Sequence, residues 1–236
     1  MTRPWWPVVV IGSFLMAGCT TDQQSSGSGG SPETARTTQP AAAVARPLTT
    51  AQLTALAFKE GEVPQTYEGT TAVQEPQPKS TESSSPPVSD PACQTVLEIS
   101  NAKGSYAHIG QVFNWKNNIL PGSSTLASYE GTEARSSFGR LRESLKTCRS
   151  FTGTGYVGKY RAKLVPTSAP RVGDEAVTYR VTIPMENDQI RDEQYTVVRV
   201  GSTVAIFTML DVGGSSSFPS DLIDKQVERL RAAQHT

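Results

Sequence analysis

The sequence predicts an α+β domain in which an antiparallel β-sheet of about five or six strands is flanked by helices. A stripe of apolar residues at spacings of three and four ends at Cys148, and after Phe151 the pattern alternates with a period of two. The junction Val200-Gly201-Ser202-Thr203 has two turn residues with glycine first, which is typical of a type II′ hairpin between antiparallel strands.

The beginning of the chain has the residue order of an export signal. Arg3 precedes an apolar run over residues 5–17, which is shorter than the roughly 18 to 20 apolar residues that an uncleaved anchor needs. The run closes with Leu15-Met16-Ala17-Gly18-Cys19, which resembles the lipobox of bacterial lipoprotein signal peptides. That resemblance implies removal of residues 1–18, acylation of Cys19 and an extracytoplasmic protein anchored by lipid to the outer face of the cell membrane.

Composition divides the rest of the chain. Residues 19–47 carry almost no large apolar side chain, so we expect a disordered tether about 30 Å from end to end. Residues 48–236 are expected to form the α+β domain, interrupted at about 74–91 by a second disordered excursion rich in Pro, Ser, Gln and Glu. So long a loop is unusual inside a domain, and we therefore expect the first helix to be loosely attached.

Helices and strands follow from the pattern within this domain. A first helix, capped by Thr49 or Thr50, has Leu53 and Leu56 on one face. Later helices are expected over residues 92–100, 132–148 and 220–233, with Thr132 as a cap. Strands are expected over residues 105–115, 124–130, 159–165, 176–183, 195–200 and 203–210.

The cysteine count predicts one disulfide. Once Cys19 is assigned to the lipobox, Cys93 and Cys148 remain, and an even pair in an exported domain indicates a bridge. The phase of the two flanking helices places both cysteines on apolar faces that can dock together. Two unrelated buried thiols are the alternative.

Charge excludes one class of partner. The chain has 22 basic and 22 acidic residues, and loss of Arg3 with the signal leaves 21 basic residues against 22 acidic ones. A near-neutral chain gives no reason to expect nucleic acid or an anionic membrane surface as a partner.

The histidines and cysteines do not indicate catalysis. A hydrolase triad holds a histidine between a nucleophile and an acid, and no Gly-x-Ser-x-Gly elbow accompanies His108; His235 lies at the C-terminus. Zinc sites need three or four close His or Cys ligands, which a paired Cys93 and Cys148 do not supply. We expect no enzyme activity, metal or cofactor, and a hydrolase using His108 is the least favoured hypothesis.

Two further patterns look like site motifs but favour structural roles. The carboxylates of Asp174-Glu175 and Asp192-Glu193 are adjacent in sequence, so we expect solvated turn residues rather than a glycosidase pair. Gly153, Gly155 and Gly158 look like a nucleotide loop, yet no lysine, serine and helix follow them. We expect them to mark the loose beginning of a strand.

Aromatic side chains on the expected sheet could line a pocket for an apolar or carbohydrate-like ligand. Cross-strand packing in the core is the alternative for each of them. The residues are Tyr106, Trp115, Tyr129, Tyr160, Tyr179 and Tyr195.

Several short motifs occur in order over residues 48–234. They are Leu48-Thr49-Thr50-Ala51-Gln52-Leu53 with Glu62-Val63-Pro64, Pro91-Ala92-Cys93, Phe138-Gly139-Arg140-Leu141 before Thr147-Cys148, Val172-Gly173-Asp174-Glu175-Ala176 and Val198-Arg199-Val200-Gly201. This order resembles actinobacterial secreted lipoproteins, which are similar to the extracellular sensor domain of PknH-type receptor serine/threonine kinases. The resemblance implies an antiparallel sheet flanked by helices, a cleft for an unknown ligand and no catalytic residue. Kinase-attached members look as though they carry two disulfides, whereas this chain has cysteines for one.

Two functional hypotheses follow. The first is a non-enzymatic, lipid-anchored ligand-binding or sensor-type domain whose ligand is a small molecule or a cell-wall component. The alternative is a structural lipoprotein that docks another cell-envelope protein. A concave, partly apolar pocket would favour the first, and a flat apolar patch the second.

Overall fold

The computed structural model describes residues 46–69, 71–74, 85–155 and 158–234. The helices within them are α1 (Thr50–Leu56), α2 (Pro91–Ser100), α3 (Glu133–Thr147) and α4 (Ser220–Gln234). The strands are β1 (Val73–Gln74), β2 (Ala107–Phe113), β3 (Gly122–Ser128), β4 (Ser150–Gly155), β5 (Gly158–Thr167), β6 (Glu175–Pro184), β7 (Ile190–Val200) and β8 (Thr203–Val212). A 3₁₀ turn, Glu186–Asp188, lies between β6 and β7.

The strands form one eight-stranded antiparallel sheet in the order β1-β2-β3-β8-β7-β6-β5-β4. The expected α+β class is confirmed, but five or six strands was wrong because β1 and β4 carry little sequence signal. β1 has only two residues, and β4 has Phe151 as its one large apolar residue beside Gly153 and Gly155. Gly153 leaves room for the Tyr160 ring, since a Cβ there would lie 2.7 Å from Tyr160 Oη.

The β7–β8 hairpin lies at the centre of the sheet. Val200 pairs with Thr203, and Gly201 has a φ of 56°, as the first position of the predicted type II′ turn requires. Alternate residues of both strands point to opposite faces, so the hairpin contributes to the core on each side.

One face of the sheet, called the α1/α4 face, is covered by α1 and α4. Its buried core includes Leu53, Phe58, Ile109, Phe113, Leu126, Val198, Phe207, Leu222, Ile223, Val227 and Leu230. The prediction that the first helix is loosely attached was wrong. Leu53 is fully buried, Gln226 Nε2 donates to Leu56 O at 3.2 Å, and Arg229 donates to Ala57 O at 3.2 Å.

The opposite face, called the α2/α3 face, is covered by α2 and α3. Its buried core includes Val96, Ile99, Phe138, Leu141, Leu145, Phe151, Leu164, Tyr179, Val181, Val197, Val204 and Ile206. The predicted disulfide is confirmed: Cys93 and Cys148 are bonded, with an S–S distance of 2.00 Å. The bridge joins the first turn of α2 to the residue that follows α3.

The helix caps agree with the sequence in one place and not in another. The Thr49 side chain accepts a hydrogen bond from the backbone N–H of Gln52, and the Gln52 side chain accepts one from Thr49 N, which completes a capping box for α1. Thr132 occupies the N-cap position of α3, but its side chain makes no capping hydrogen bond. Asp90, which was not predicted as a cap, accepts from Cys93 N at the start of α2.

Several predictions fall outside the described residues. They include the export signal, Cys19, most of the tether, His235 and residues 75–84 of the predicted excursion. The later part of that excursion, residues 85–90, packs against α2 and β4. Asn101 Nδ2 donates to Ser85 Oγ at 2.6 Å, and Ser89 N donates to Thr152 O at 2.9 Å.

A carboxylate ties the segment after α1 to α4. Glu62 Oε1 lies 2.5 Å from Arg229 Nη2 and 3.0 Å from Lys225 Nζ, while Glu62 Oε2 accepts from Lys59 N at 2.7 Å. The hydrogen bond from Arg229, above all, lowers the pKa of Glu62 to about 2. The folded state therefore favours the ionised carboxylate more than the unfolded chain does.

We expect Glu62→Gln to remove part of the acid sensitivity of folding. The Glu62 contribution is complete above pH about 4.5 and is lost as the pH falls towards about 2, because only the unfolded chain readily protonates the group in that window. With allowance for solvent screening of a partly exposed side chain, the contribution is about 2 kcal/mol. Urea unfolding between pH 5 and pH 2 measures it, with the exposed Glu130→Gln as a matched control. Equal pH slopes in wild type and Glu62→Gln would contradict the assignment.

We expect the paired substitution Cys93→Ser and Cys148→Ser to lower the free energy of unfolding by about 4 kcal/mol, on the chain-entropy estimate for a loop that closes residues 55 apart. Urea titration of oxidised protein measures this loss, and mass spectrometry without reductant checks the bond. Reductant should destabilise wild type and leave the double variant unchanged. Two free thiols in protein purified without reductant would refute the pairing.

Candidate functional site

The helices on the α2/α3 face leave part of the sheet uncovered. On β8, Ile206 belongs to the buried core, but Thr208, the next residue on this face, is only half-buried. Val112 and Ser123 are half-buried beside it, in the cross-strand row that runs from β2 through β3 to β8. The row continues to Tyr195 on β7. A depression therefore forms where the helical layer stops.

This depression, called the sheet-face cleft, has a volume of about 280 Å³. That is close to the lower end of the range of about 300–1,000 Å³ found for small-molecule sites. Apolar and polar groups both line it: Val112, Pro121, Gly122, Ser123, Arg191, Glu193, Tyr195, Thr208, Met209 and Leu210.

Polar groups converge in the sheet-face cleft because they alternate along β7. Arg191, Glu193 and Tyr195 are two residues apart and so point from the same face. Glu193 Oε2 accepts from Tyr195 Oη at 2.7 Å, and Glu193 Oε1 lies 2.5 Å from Arg191 Nη2. On the neighbouring strands, the hydroxyls of Ser123 and Thr208 hydrogen-bond to each other. The cleft thus presents a cation, a carboxylate and two hydroxyls.

A pair of stacked tyrosines supports the floor of the cleft. The rings of Tyr179 and Tyr195 are 4.9 Å apart with an interplanar angle of 5°, and Tyr179 Oη lies 2.5 Å from Ser100 Oγ of α2. Burial raises the pKa of Tyr195 well above its usual range, and the Glu193 carboxylate raises it further. Tyr195 therefore stays protonated and donates to Glu193, which fixes the carboxylate in position.

The sheet-face cleft lies far from the point where the described chain begins. Ser202 Oγ donates to Arg46 O at 3.1 Å, and Leu48 N donates to Ser128 Oγ at 2.6 Å, so the chain joins the sheet at the β7–β8 turn. Along β8 the distance from Thr203 at that turn to Leu210 in the cleft is about 23 Å. The cleft is therefore at the end of the sheet opposite to the N-terminal segment.

The aromatic residues singled out in the sequence are divided between core and surface. Tyr195 alone among them lines the sheet-face cleft, and Trp115 lines a second pocket on the other face. Tyr129 and Tyr179 are buried in the core, whereas Tyr106 is exposed. The remaining member, Tyr160, packs edge-on against Phe151. Cross-strand packing, the alternative interpretation, accounts for most of the set.

His108 does not form a triad in the described part of the chain. Its Nδ1 lies 3.1 Å from Ser105 Oγ, and no hydrogen bond or ion pair joins it to a carboxylate there. Burial lowers the pKa of His108. A hydrolase triad requires the acid that orients the histidine, so this geometry gives the His108 hypothesis no support.

Of the four acidic residues, Asp174 is exposed and lies outside a strand as we expected, whereas Glu175, Asp192 and Glu193 lie in strands and are partly or largely buried. Asp174 Oδ2 and Glu175 Oε2 both bind the buried Arg199 guanidinium, at 2.8 and 2.7 Å. Asp192 and Glu193 do point to opposite faces, but each is largely buried against an arginine. Their arginine partners are distant in sequence or on the same strand face, which the sequence-based interpretation did not consider.

Other candidate chemistry is also accounted for. Gly155 pairs with Gly158 in the β4–β5 hairpin, so the glycine-rich segment is not a phosphate loop. Among the described residues, Asp90, Cys93 and Cys148 are the one group close enough to hold a metal ion. The disulfide occupies both sulfurs and the Asp90 carboxylate caps α2, so this group does not fit a metal.

The main residues of the cleft were missed by the sequence-based reasoning. Glu193 was assigned to solvent, while Ser123 and Thr208 were not singled out. Ser123 and Thr208 lie 85 residues apart and meet only through the β3–β8 register. The alternation of Arg191, Glu193 and Tyr195 was the one local signal that could have revealed a polar strip.

Comparison with solved structures shows a likeness of fold. The crystal structure of the extracellular domain of PknH from Mycobacterium tuberculosis matches with a TM-score of 0.58 and 18% identity, covering 79% of this chain and 98% of that one. The expected resemblance is thus confirmed at the level of the fold. A STAR-related lipid transfer protein from Xanthomonas axonopodis matches with a TM-score of only 0.28 and 13% identity, over 57% of this chain and 97% of that one. So low a TM-score does not indicate a shared fold. No family model and no curated protein matches the sequence.

The described helices were also compared with the length and hydrophobicity that a membrane-spanning helix requires. None of the helices in the described part of the chain meets both conditions.

Proposed function

We propose that this chain is a non-enzymatic, lipid-anchored extracytoplasmic ligand-binding domain of the sensor type, with its ligand in the sheet-face cleft. The observation that carries the proposal is the convergence of Arg191, Glu193, Ser123 and Thr208 in a partly apolar depression where the helical layer stops. A concave site of this kind distinguishes a binding domain from a docking scaffold. The fold shared with an extracellular domain supports the same choice.

The chemistry of the cleft restricts its ligand. Arg191 and Glu193 balance each other in charge, and the hydroxyls of Ser123 and Thr208 offer both donors and acceptors. Val112 and Leu210 supply apolar surface on either side. A small molecule with a hydrogen-bonding head and an apolar portion fits this arrangement.

Two features that favour a location outside the cytoplasm also support the proposal. The lipobox-like segment ending at Cys19 would anchor the protein, and a disulfide such as Cys93–Cys148 persists in oxidising compartments. Because Arg46 and Leu48 hydrogen-bond near the β7–β8 turn, the described part of the chain begins at the end of the sheet opposite to the cleft.

We expect Cys19→Ala to release the protein from the membrane fraction, because acyl chains hold a lipoprotein by about 0.8 kcal/mol for each buried CH₂ group. Fractionation of the native envelope, with mass spectrometry of the N-terminal peptide for the acyl mass, measures the effect. Thr20→Ala is the matched control and should remain anchored. Unchanged membrane retention of Cys19→Ala would count against the lipid anchor.

We expect wild-type protein purified from its own envelope to retain a small molecule in native mass spectrometry. Thr208→Val and Glu193→Gln should each lower the bound fraction, the former by up to about tenfold in affinity. Thr208→Val removes a hydroxyl from the cleft, and Glu193→Gln removes the charge that pairs with Arg191. Thr125→Val is the control, since Thr125 points from the same face of β3 but does not line the cleft. Equal occupancy in all four proteins would place the ligand elsewhere, and no retained ligand would favour the scaffold hypothesis.

A further inference from the structure

A second pocket lies on the α1/α4 face, back to back with the sheet-face cleft across β3 and β8. Its volume is about 290 Å³. Three segments enclose it: the stretch after α1, the turn after β2 and the loop that precedes α4. The lining residues are Pro64, Gln65, Trp115, Asn117, Asn118, Met209, Ser216, Ser217 and Pro219. We call it the loop pocket.

Hydrogen bonds fix the walls of the loop pocket to one another. Lys116 N donates to Gln65 O at 2.6 Å, and Thr66 forms a β-bridge with Trp115. Asn118 Nδ2 donates to Leu210 O at 3.1 Å and to Ser216 Oγ at 3.4 Å. The protein's own hydrogen bonds therefore hold the walls in place, which reduces the ordering cost of binding.

Charged side chains outside the loop pocket also hold the loop before α4 by hydrogen bonds. Arg180 Nη2 donates to Ser216 O at 3.0 Å and to Ser217 Oγ at 3.1 Å, while the same guanidinium lies 2.9 Å from Asp192. Asp211 accepts from Ser216 Oγ at 2.5 Å. These charges hold the loop from outside the pocket, and none of them is a lining residue.

Two side-chain amides at the rim have no partner in the described part of the chain. Gln65 and Asn117 make no side-chain hydrogen bond there, although both line the pocket. Gln65 has a φ of 61°, in the left-handed region where a non-glycine residue is strained by about 1–3 kcal/mol. A glycine at position 65 would adopt this φ without strain. The residue found there is instead a glutamine, whose amide lines the pocket.

Trp115 contributes a small aromatic surface to the pocket, since the residue is only 6% exposed. Its ring packs edge-on against Phe218 at 6.1 Å and is tilted against Phe113 at 6.0 Å, which fixes its orientation. Gly122 makes room for it, because a Cβ at that position would lie 2.8 Å from Trp115 Nε1. The indole is thus held in place from its other sides, with part of it lining the pocket.

From this lining we infer that the loop pocket binds one ring of a neutral saccharide. All of its lining residues are uncharged, so no group is present to neutralise an ionic ligand. A sugar ring presents an apolar C–H face, which matches the two prolines and the small exposed part of the indole. It also presents hydroxyls that both donate and accept, which match amides and serine hydroxyls. The volume suits a single ring rather than a larger ligand.

The inference is tested by titrating ¹⁵N-labelled protein with maltotriose and with tri-N-acetylchitotriose, which separate a plain hexose from an N-acetylated one. The indole Nε1–H signal of Trp115, assigned through Trp115→Phe, should shift in a saturable way with at least one of them. Asn117→Ala should weaken that binding about three- to tenfold through loss of one amide contact. Asn114→Ala, on the exposed turn beside Trp115 but outside the lining, is the matched control and should bind as wild type does.

Three outcomes would overturn the inference: no shift of the Trp115 signal with either sugar, equal affinity in Asn117→Ala and Asn114→Ala, or shifts confined to Tyr195 and Thr208 in the sheet-face cleft. Because Asn117 is exposed and its amide is unpartnered, the variant should remain folded, and thermal unfolding checks this. The Glu193→Gln variant should bind the sugar normally. Normal sugar binding by Glu193→Gln would show that the sugar does not depend on the sheet-face cleft, so the two sites are tested separately.

Discussion

The Cys93–Cys148 disulfide is the constraint on which the α2/α3 face depends. It holds the first turn of α2 to the end of α3, so the two helices form one layer rather than two independent elements. That layer buries Val197, Val204 and Ile206 and stops before Thr208. The position of the sheet-face cleft follows from where the bridged helices end.

On the α1/α4 face, the two helices that cover the sheet are held together without a covalent bond. There α1 and α4 are joined through Glu62, whose carboxylate meets Arg229 and Lys225, and through backbone carbonyls of α1 that accept from α4. The loop pocket forms where these helices give way to the loop before α4. Both cavities thus lie at the end of the sheet that is opposite to the N-terminal segment, on opposite faces of β3 and β8.

Local signals in the sequence were sufficient for much of the fold. Gly201 marks the central hairpin, the apolar stripe of α3 ends at Cys148, and an even cysteine pair predicts the bridge. β4 was missed because Gly153 is explained only by the Tyr160 ring that packs over it, which is a contact between strands. A long polar stretch inside the domain predicted a loosely attached first helix, whereas the side chains that fix this helix lie on α4, about 170 residues later.

The candidate sites were much less predictable, because their residues are brought together by register. Ser123 and Thr208 are ordinary hydroxyl residues until the β3–β8 pairing places them side by side. Glu193 reads as a solvated carboxylate until Arg191 and Tyr195 are seen on the same face of β7. Likewise, Gln65 and Asn117, whose side-chain amides have no partner among the described residues, reach one pocket through the bridge between Thr66 and Trp115.

The central claim is that the helical layer ends between Ile206 and Thr208 and leaves a cleft open to solvent. Thiol labelling tests it most directly, with single cysteines placed at these neighbouring positions of β8 in a chain that also carries Cys19→Ser. In folded, oxidised protein, Thr208→Cys should react readily with a small maleimide, while Ile206→Cys should stay protected until the protein unfolds. Equal protection of both cysteines would contradict the account, because it would mean that the sheet is covered there and the cleft does not exist in solution.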